Sequence, residues 1–157
     1  MMRIVLFALL LLLPLSATAQ IDEKAVLAVA QQVFDGINTR NGDLIRGAML
    51  PDALTVSTLT RDGVPMIRAG NASQMAEQVA SATQDFHERM FETTVQIQEG
   101  VALVWAAYDF HVDGAFSHCG IDTFSMVRTA EGWKVAALTY TVQQDGCPER
   151  PPIPSSN

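Results

Sequence analysis

The sequence predicts an α+β domain in which helices come first and a large antiparallel sheet follows. Three observations support this prediction. Apolar residues in the first half recur with the helical period. The stretch from Val101 to Thr141 has the pattern of three long consecutive strands, and tight turns at Asp113-Gly114 and Ala130–Gly132 join them. We therefore expect the helices and shorter strands of the first half to turn this sheet into a container.

The first helix is predicted by the apolar positions from Val26 to Ile37. Asp43 is predicted to cap a short second helix over residues 44–49. Asn71, followed by Gln74 three residues later, is typical of a capping box at the start of a third helix. The predicted strands are residues 54–59, 64–68, 87–98, 102–112, 116–128 and 133–142.

Residues 1–19 have the features of an export signal. Arg3 supplies a positive charge, residues 4–15 are apolar, and Ala17-Thr18-Ala19 matches a cleavage signature. The apolar run is shorter than the roughly 20 residues that cross a bilayer. We therefore expect cleavage after Ala19 and a periplasmic or secreted protein without a membrane anchor.

A single domain is expected over residues 20–147, followed by a disordered tail over 148–157 that is rich in proline and serine. The chain has 10 basic and 17 acidic residues and a formal net charge of −7. Nucleic acids and anionic membrane surfaces both favour basic partners. The charge therefore argues against either as a partner.

The last predicted turn fixes which residues face each other across the final two strands. Read as a three-residue turn, it places Thr129 opposite Trp133. The same register places Asp122 opposite Tyr140.

Cys119 and Cys147 are the two cysteines of the chain, and export makes a disulfide between them the default expectation. The predicted register opposes it, because Gln143 lies opposite Cys119. Four residues of strand separate Gln143 from Cys147 and span roughly 13 Å, whereas a disulfide tolerates a Cα separation of about 7 Å. The bridge therefore requires the chain to bend back at Asp145-Gly146.

Several motifs of the sheet resemble those of a known family. They are Tyr108-Asp109-Phe110, the stretch from Phe116 to Asp122, and Gly132-Trp133-Lys134-Val135 with Tyr140. With the order of helices and strands, they resemble the NTF2-like (SnoaL-like) superfamily, and within it an exported bacterial subgroup of unassigned activity.

The resemblance implies a cone in which a strongly curved antiparallel sheet wraps around the N-terminal helices and encloses a pocket. It also implies a homodimer. The superfamily includes isomerases, dehydratases, cyclases and hydrolases, and members that only bind or dimerise. The resemblance therefore predicts the fold and leaves the reaction open.

Asp122 and Tyr140 are the first candidate catalytic residues, because a carboxylate beside a phenol can act as base and hydrogen-bond donor. The structural alternative is a cross-strand hydrogen bond, which we favour since one pair is a weak signal. Asp109 interrupts an apolar strand and either lines the pocket or bonds to a loop. His118 shares a face with Asp122 at about 13 Å along the strand, or is a polar residue near the strand edge.

Four further residues are candidates for ligand binding. Trp105, Tyr108 and Phe124 would form an aromatic pocket wall, and the alternative for each is the hydrophobic core. Arg89 would hold an anionic ligand at the mouth of the cone, or lie at a solvated strand end.

The histidines and acidic residues lack the spacing of metal ligands, and neither a phosphate-binding loop nor a nucleophile elbow is present in the sequence. We expect no metal and no cofactor. The sequence favours an exported domain with a pocket for a small, largely apolar ligand. The alternatives are an isomerase or dehydratase that uses an aspartate base, and a non-catalytic dimerisation module.

Overall fold

The computed structural model describes residues 15–153, which form three helices and one six-stranded sheet. The helices are α1 (Leu15–Asn38), α2 (Gly42–Ala48) and α3 (Ala72–Ser81). The strands are β1 (Met49–Arg61), β2 (Val64–Asn71), β3 (Phe86–Gln98), β4 (Val101–Val112), β5 (Ala115–Thr129) and β6 (Gly132–Val142). Their order in the sheet is β2-β1-β6-β5-β4-β3. The predicted α+β class is confirmed.

The predicted export signal lies mostly outside the described residues, which begin at Leu15. Helix α1 runs through the predicted cleavage point after Ala19. Among the described side chains of α1, the first that packs in the core is Val26. The core side chains of this helix therefore follow the predicted cleavage point. Within residues 15–153, no helix is both long and apolar enough to span a bilayer.

The helix caps agree with the sequence in one case and differ in the other. Helix α3 begins with the predicted capping box, in which the Gln74 N–H donates to Asn71 Oδ1 at 2.9 Å and the Asn71 N–H donates to Gln74 Oε1 at 3.1 Å. Helix α2 is capped by Asn41, whose side chain accepts from the Asp43 N–H. The predicted cap Asp43 therefore lies in the first turn, where its charge favours the helix N-terminus.

The sheet is curved and does not close. Its neighbouring strands are antiparallel, except that β1 and β6 run parallel. Four of the five strand pairs contain a register shift. Each such bulge bends its strand and increases the local twist. The bulges therefore give the sheet a concave inner face, against which the helices pack.

The hydrophobic core lies between α1 and this inner face. Phe34 of α1 and Phe124 of β5 are fully buried and have ring centroids 6.1 Å apart. Alternate residues of β4 and β5 point inwards, so that Val104 and Met126 join the same core.

The turn between β5 and β6 differs from the prediction. Thr129 pairs with Gly132 rather than Trp133, so the loop has two residues. A bulge between the Met126 and Ser125 pairs then restores the predicted register, and Asp122 lies opposite Tyr140 as expected.

Cys119 and Cys147 form the predicted disulfide, with their Cα atoms 5.9 Å apart. Cys119 also pairs with Gln143, as the register predicts. The chain bends back after Gln143, where Gly146 takes a positive φ of 72°. A glycine adopts this conformation without strain, which is how the register and the bridge coexist.

Residues 148–153 belong to the segment predicted to be disordered, and they make specific contacts with β3. Arg89 donates from Nη1 to the Pro151 carbonyl at 2.7 Å. Arg150 forms an ion pair with Glu92, and the two guanidinium groups lie 5.3 and 4.4 Å from the centre of the Phe91 ring. Residues 154–157 lie outside the described part of the chain.

Gly120 allows one aromatic side chain to cross the inner face of the sheet. A Cβ atom at this position would collide with the Thr141 carbonyl and lie 2.7 Å from Cε1 of Tyr108. The space lets the Tyr108 ring lie across β5, where its hydroxyl donates to the Thr141 carbonyl at 2.7 Å. Gly120 therefore fixes the position of Tyr108.

We expect Gly120→Ala to destabilise the protein by roughly 1–3 kcal/mol, because the added methyl group displaces Tyr108 and breaks its bond to Thr141. The measurement is urea denaturation followed by tryptophan fluorescence. The matched control is Gly100→Ala, since the nearest atom to a Cβ there is 3.9 Å away. Equal stability of the two variants would contradict this account of Gly120.

Candidate functional site

A cavity of about 200 Å³ lies between the inner face of the sheet and helices α1 and α3. It opens into a wide groove of about 1260 Å³ along α3, β1 and β2, and Met75, Gln78, His118 and Tyr140 line both spaces. The residues that line the cavity are Val33, Phe34, Ile37, Met75, Gln78, Val79, Phe86, Glu88, Tyr108, Phe110, His118, Asp122, Phe124, Leu138 and Tyr140.

Asp122 is the most buried acidic side chain of this lining. Its residue is 4 % exposed, and its Cα neighbours across the sheet are Ala106 and Tyr140. Among the described residues, no hydrogen-bond donor or basic group stabilises its charged form, and burial raises the pKa of the carboxyl to about 8. Asp122 is therefore largely protonated at neutral pH.

Glu88 brings a second carboxyl group to the same cavity. Its backbone is held to α1, because the Glu88 N–H donates to Asn38 Oδ1 at 2.6 Å and Asn38 Nδ2 donates to the Glu88 carbonyl at 2.9 Å. Burial raises the pKa of the Glu88 carboxyl well above its ordinary value, and the charges of Asp122 and then Asp109 raise it further. The cavity therefore contains two carboxyl groups that both resist ionisation.

Glu88 was not among the residues predicted from the sequence to form the site. The sequence predicts that Glu88 opens this strand in a charged cluster with His87 and Arg89. The observed strand begins at Phe86, so Phe86, Glu88 and Met90 alternate on one face. That alternation was the available signal, since it places a carboxyl group between two apolar side chains.

Two tyrosines face the same space. Burial raises the pKa of the Tyr140 phenol, and a hydrogen bond with the Ser57 side chain partly opposes this shift. Burial likewise raises the pKa of Tyr108, followed by the charges of Asp122 and Glu88. Both phenols therefore stay protonated at physiological pH.

His118 lies where the cavity meets the groove. Its ring centre is 5.6 Å from that of Tyr108 and 5.0 Å from that of Phe110. Burial lowers the pKa of His118. The imidazole is therefore neutral at pH 7, with Nδ1 3.0 Å from Ser117 Oγ.

The candidate catalytic residues divide into two groups. The structure brings Asp122, Tyr140 and His118 together around the cavity. Asp109 is instead held on the other face of the sheet, where Arg89 binds both of its carboxylate oxygens through Nε, at 2.9 Å, and Nη2. Arg89 occupies both oxygens of this carboxylate on the face away from the cavity, so this position does not support a catalytic Asp109.

The candidate ligand-binding residues divide in the same way. Tyr108 and Phe124 line the cavity. Trp105 points away from it on the outer face and is 50 % exposed. Arg89 is occupied by Asp109 and the Pro151 carbonyl, so it is not free to hold an anionic ligand.

The donor set does not resemble a metal centre. Among the described residues, His, Cys, Asp and Glu side chains form no group of three that could hold a metal ion. The cavity combines apolar and aromatic walls with two acids and two phenols. It can enclose a small molecule and exchange hydrogen bonds or a proton with it.

A family model described as "Putative lumazine-binding" matches residues 21–141. A comparison with curated protein sequences found no match. The description of the matching family thus names a small-molecule ligand.

Solved structures are similar in fold at low sequence identity. An NTF2-like protein with a cystatin-like fold from Novosphingobium aromaticivorans has a TM-score of 0.65 and 13 % identity, over 85 % of this chain and 90 % of the other. An NTF2-like superfamily protein from Salmonella enterica gives 0.62 and 11 %, over 83 % and 96 %. A "putative dehydratase" of the NTF2-like family from Streptomyces avermitilis gives 0.60 and 14 %, over 79 % and 97 %.

These structures show the fold alone, and they confirm the NTF2-like resemblance. The chain belongs to the family described as "Putative lumazine-binding", and its fold is that of the NTF2-like superfamily.

Proposed function

We propose that this protein is an exported binding protein whose cavity encloses one small, largely apolar molecule. The observation that carries the proposal is the Asp122 carboxyl group, which has no partner among the described residues and faces an internal space of about 200 Å³. Burying a polar group without a partner costs free energy. The protein tolerates this cost where a ligand supplies the partner.

The size and walls of the cavity support a small ligand. A water molecule takes up about 30 Å³ in the liquid, so the space corresponds to roughly seven waters or one compact ring system. Most of the wall is aliphatic or aromatic, and a few polar groups converge on it, as in other small-molecule sites. The family description supports the same class of function.

Export is supported by the leader-like pattern of residues 1–19 and by the Cys119–Cys147 disulfide. Disulfides persist in the periplasm and outside the cell, whereas the cytosol keeps thiols reduced. We place the protein in one of those oxidising compartments.

A second candidate is an isomerase or dehydratase that uses Asp122 as a proton acceptor and Tyr140 as a hydrogen-bond donor. The adjacency of these residues across β5 and β6 favours it, together with a carboxyl pKa of about 8 that is close to working pH. A solved structure of similar fold is described as a "putative dehydratase". The base in this candidate is Asp122 and not Asp109, since Arg89 neutralises Asp109.

We further propose that two copies associate through the outer face of the sheet. On β4, Val101, Leu103 and Trp105 are exposed and share this face. The strand registers connect Leu103 through Ser125 and Ala137 to Leu54, which is also exposed. No residue in this row is charged, and the cores of interfaces are depleted of charge. Association alone would not account for the cavity, so we do not propose it as the whole function of this protein.

The binding proposal predicts a retained ligand in protein purified from its own host. Native mass spectrometry should show an added mass that denaturing conditions remove. Gln78→Trp should abolish the added mass. Gln78 is exposed and lines both the cavity and the groove, so the larger Trp side chain would fill the passage between them. Glu77→Trp is the matched control, since Glu77 lines only the groove and should leave the added mass intact. Wild type without any added mass would count against the proposal.

The protonation of Asp122 predicts a pH dependence of stability. The unfolded chain releases this proton near the ordinary carboxyl pKa of 3.8, whereas the folded protein holds it until about 8. The free energy of unfolding should therefore fall as pH rises from about 4 to about 8, by up to about 1.4 kcal/mol per pH unit for this one proton.

Asp122→Asn should reduce that slope and should be more stable than wild type at pH 8, as measured by urea denaturation across this range. Glu88→Gln should reduce the slope as well, because the pKa of the Glu88 carboxyl is also raised by burial. Asp52→Asn, an exposed site on β1, is the control and should keep the wild-type slope. An unchanged slope in Asp122→Asn would show that this carboxyl ionises normally.

The association proposal predicts a dimer in analytical ultracentrifugation. Trp105→Glu should produce monomers, because it places a charge beside this uncharged row. Phe116→Glu is the matched control, since Phe116 is also 50 % exposed and lies beside the β4–β5 turn. A wild-type monomer, or dissociation by both variants alike, would refute this interface.

A further inference from the structure

Two acids with different surroundings are buried on opposite faces of β4 and β5. Asp109, 2 % exposed, receives two hydrogen bonds from the Arg89 guanidinium. Asp122, 4 % exposed, has no basic partner among the described residues and faces the cavity instead. Asp109 is thus paired with a positive charge of the chain, whereas Asp122 borders the cavity.

We propose that the cavity selects a small organic cation, an ammonium or protonated nitrogen base on a compact apolar or aromatic body, held by Asp122 and Glu88. This inference rests on the proposed binding function and names its ligand class. A charged nitrogen at this position would pair with Asp122 as the Arg89 guanidinium pairs with Asp109.

The titratable groups of the cavity lining favour a cation. Helices α1 and α3 contribute apolar side chains and the neutral Gln78. The titratable groups on the strands are Glu88 on β3, Tyr108 on β4, His118 and Asp122 on β5, and Tyr140 on β6. Among the residues that the structure describes, neither Lys nor Arg lines the cavity. The basic side chain Arg68 lines the outer groove, where its charge acts on Tyr140.

Ligands of different charge fare differently in these surroundings. An anion meets two acids without a compensating base, so repulsion and desolvation both oppose it. A neutral apolar molecule leaves both carboxyl groups unpaired, and they must keep their protons. A cation pairs with them and makes their ionised forms favourable.

Aromatic rings strengthen the case for a cation. The faces of aromatic rings attract positive charge, most strongly where water is excluded. Six aromatic side chains line the cavity beside the two acids: Phe34, Phe86, Tyr108, Phe110, Phe124 and Tyr140. This chain uses the same contact elsewhere, since the Arg150 guanidinium lies 4.4 Å from the centre of the Phe91 ring.

Binding of a cation should release a proton. The free protein keeps Asp122 protonated at neutral pH because burial raises the pKa of this carboxyl to about 8. A bound ammonium group favours the carboxylate, so the proton leaves to the buffer. Affinity should therefore rise with pH between 6 and 8, provided that the ligand itself stays protonated.

Three probes of similar size and different charge test the inference: benzylamine, benzyl alcohol and benzoate. Isothermal titration calorimetry of the full protein at pH 7 should give at least tenfold tighter binding of benzylamine than of benzyl alcohol, and no binding of benzoate. The benzylamine titration, repeated in phosphate and in Tris, should reveal proton release through the different ionisation enthalpies of the two buffers.

Variants then locate the charge. Glu88→Gln and Asp122→Asn should each weaken benzylamine binding at least tenfold and should reduce the preference for benzylamine over benzyl alcohol. Glu77→Gln is the control, because Glu77 lies in the groove outside the cavity and should not affect either probe. The wild-type comparison of probes and buffers stands even where a variant does not fold.

The outcomes separate this inference from the binding function beneath it. Benzyl alcohol bound as tightly as benzylamine, or benzylamine bound without proton release, overturns the cation and leaves a binding cavity. No binding of any probe, together with no retained mass in protein from its own host, overturns the binding function itself and this inference with it.

Discussion

The structure depends on the curvature of one sheet. Bulges in four strand pairs bend it into a concave face, and the helices cover only part of that face. A flat sheet against the same helices would bring Phe34 and Phe124 together and leave no space beside them. With curvature, their contact at 6.1 Å closes one end of the interior, and the cavity remains beside it.

Gly120 and Tyr108 shape this interior as much as the bulges do. Gly120 has no Cβ, so the Tyr108 ring can lie across β5 and bond to the Thr141 carbonyl. The ring then forms a wall that also contacts His118. Behind this wall lie Asp122 and Glu88, which have no basic partner within residues 15–153, and burial makes ionisation of both carboxyl groups costly.

The outer face has the opposite character. There the disulfide, the Arg89–Asp109 ion pair and residues 148–153 form a compact corner, and each charged group in its centre is paired. Next to it the surface around Trp105 is apolar and uncharged. The two faces of the sheet therefore differ: the inner face borders a cavity of about 200 Å³, and the outer face combines a closed corner with an exposed apolar surface.

The sequence alone determined the fold class, the helix and strand order and the capping box at Asn71, because periodicity and caps are local. The predicted pairing of Asp122 with Tyr140 is correct only because a bulge offsets the difference in turn length. The sequence did not determine the bulge that corrects the β5–β6 turn, the contacts of residues 148–153, or which acids face the cavity. Asp109 and Asp122 look alike in sequence, and Glu88 lies in a charged cluster at the start of its strand. Only the tertiary structure decided that Arg89 reaches Asp109 and that Asp122 and Glu88 meet around one space, since such contacts join residues 20 or more positions apart.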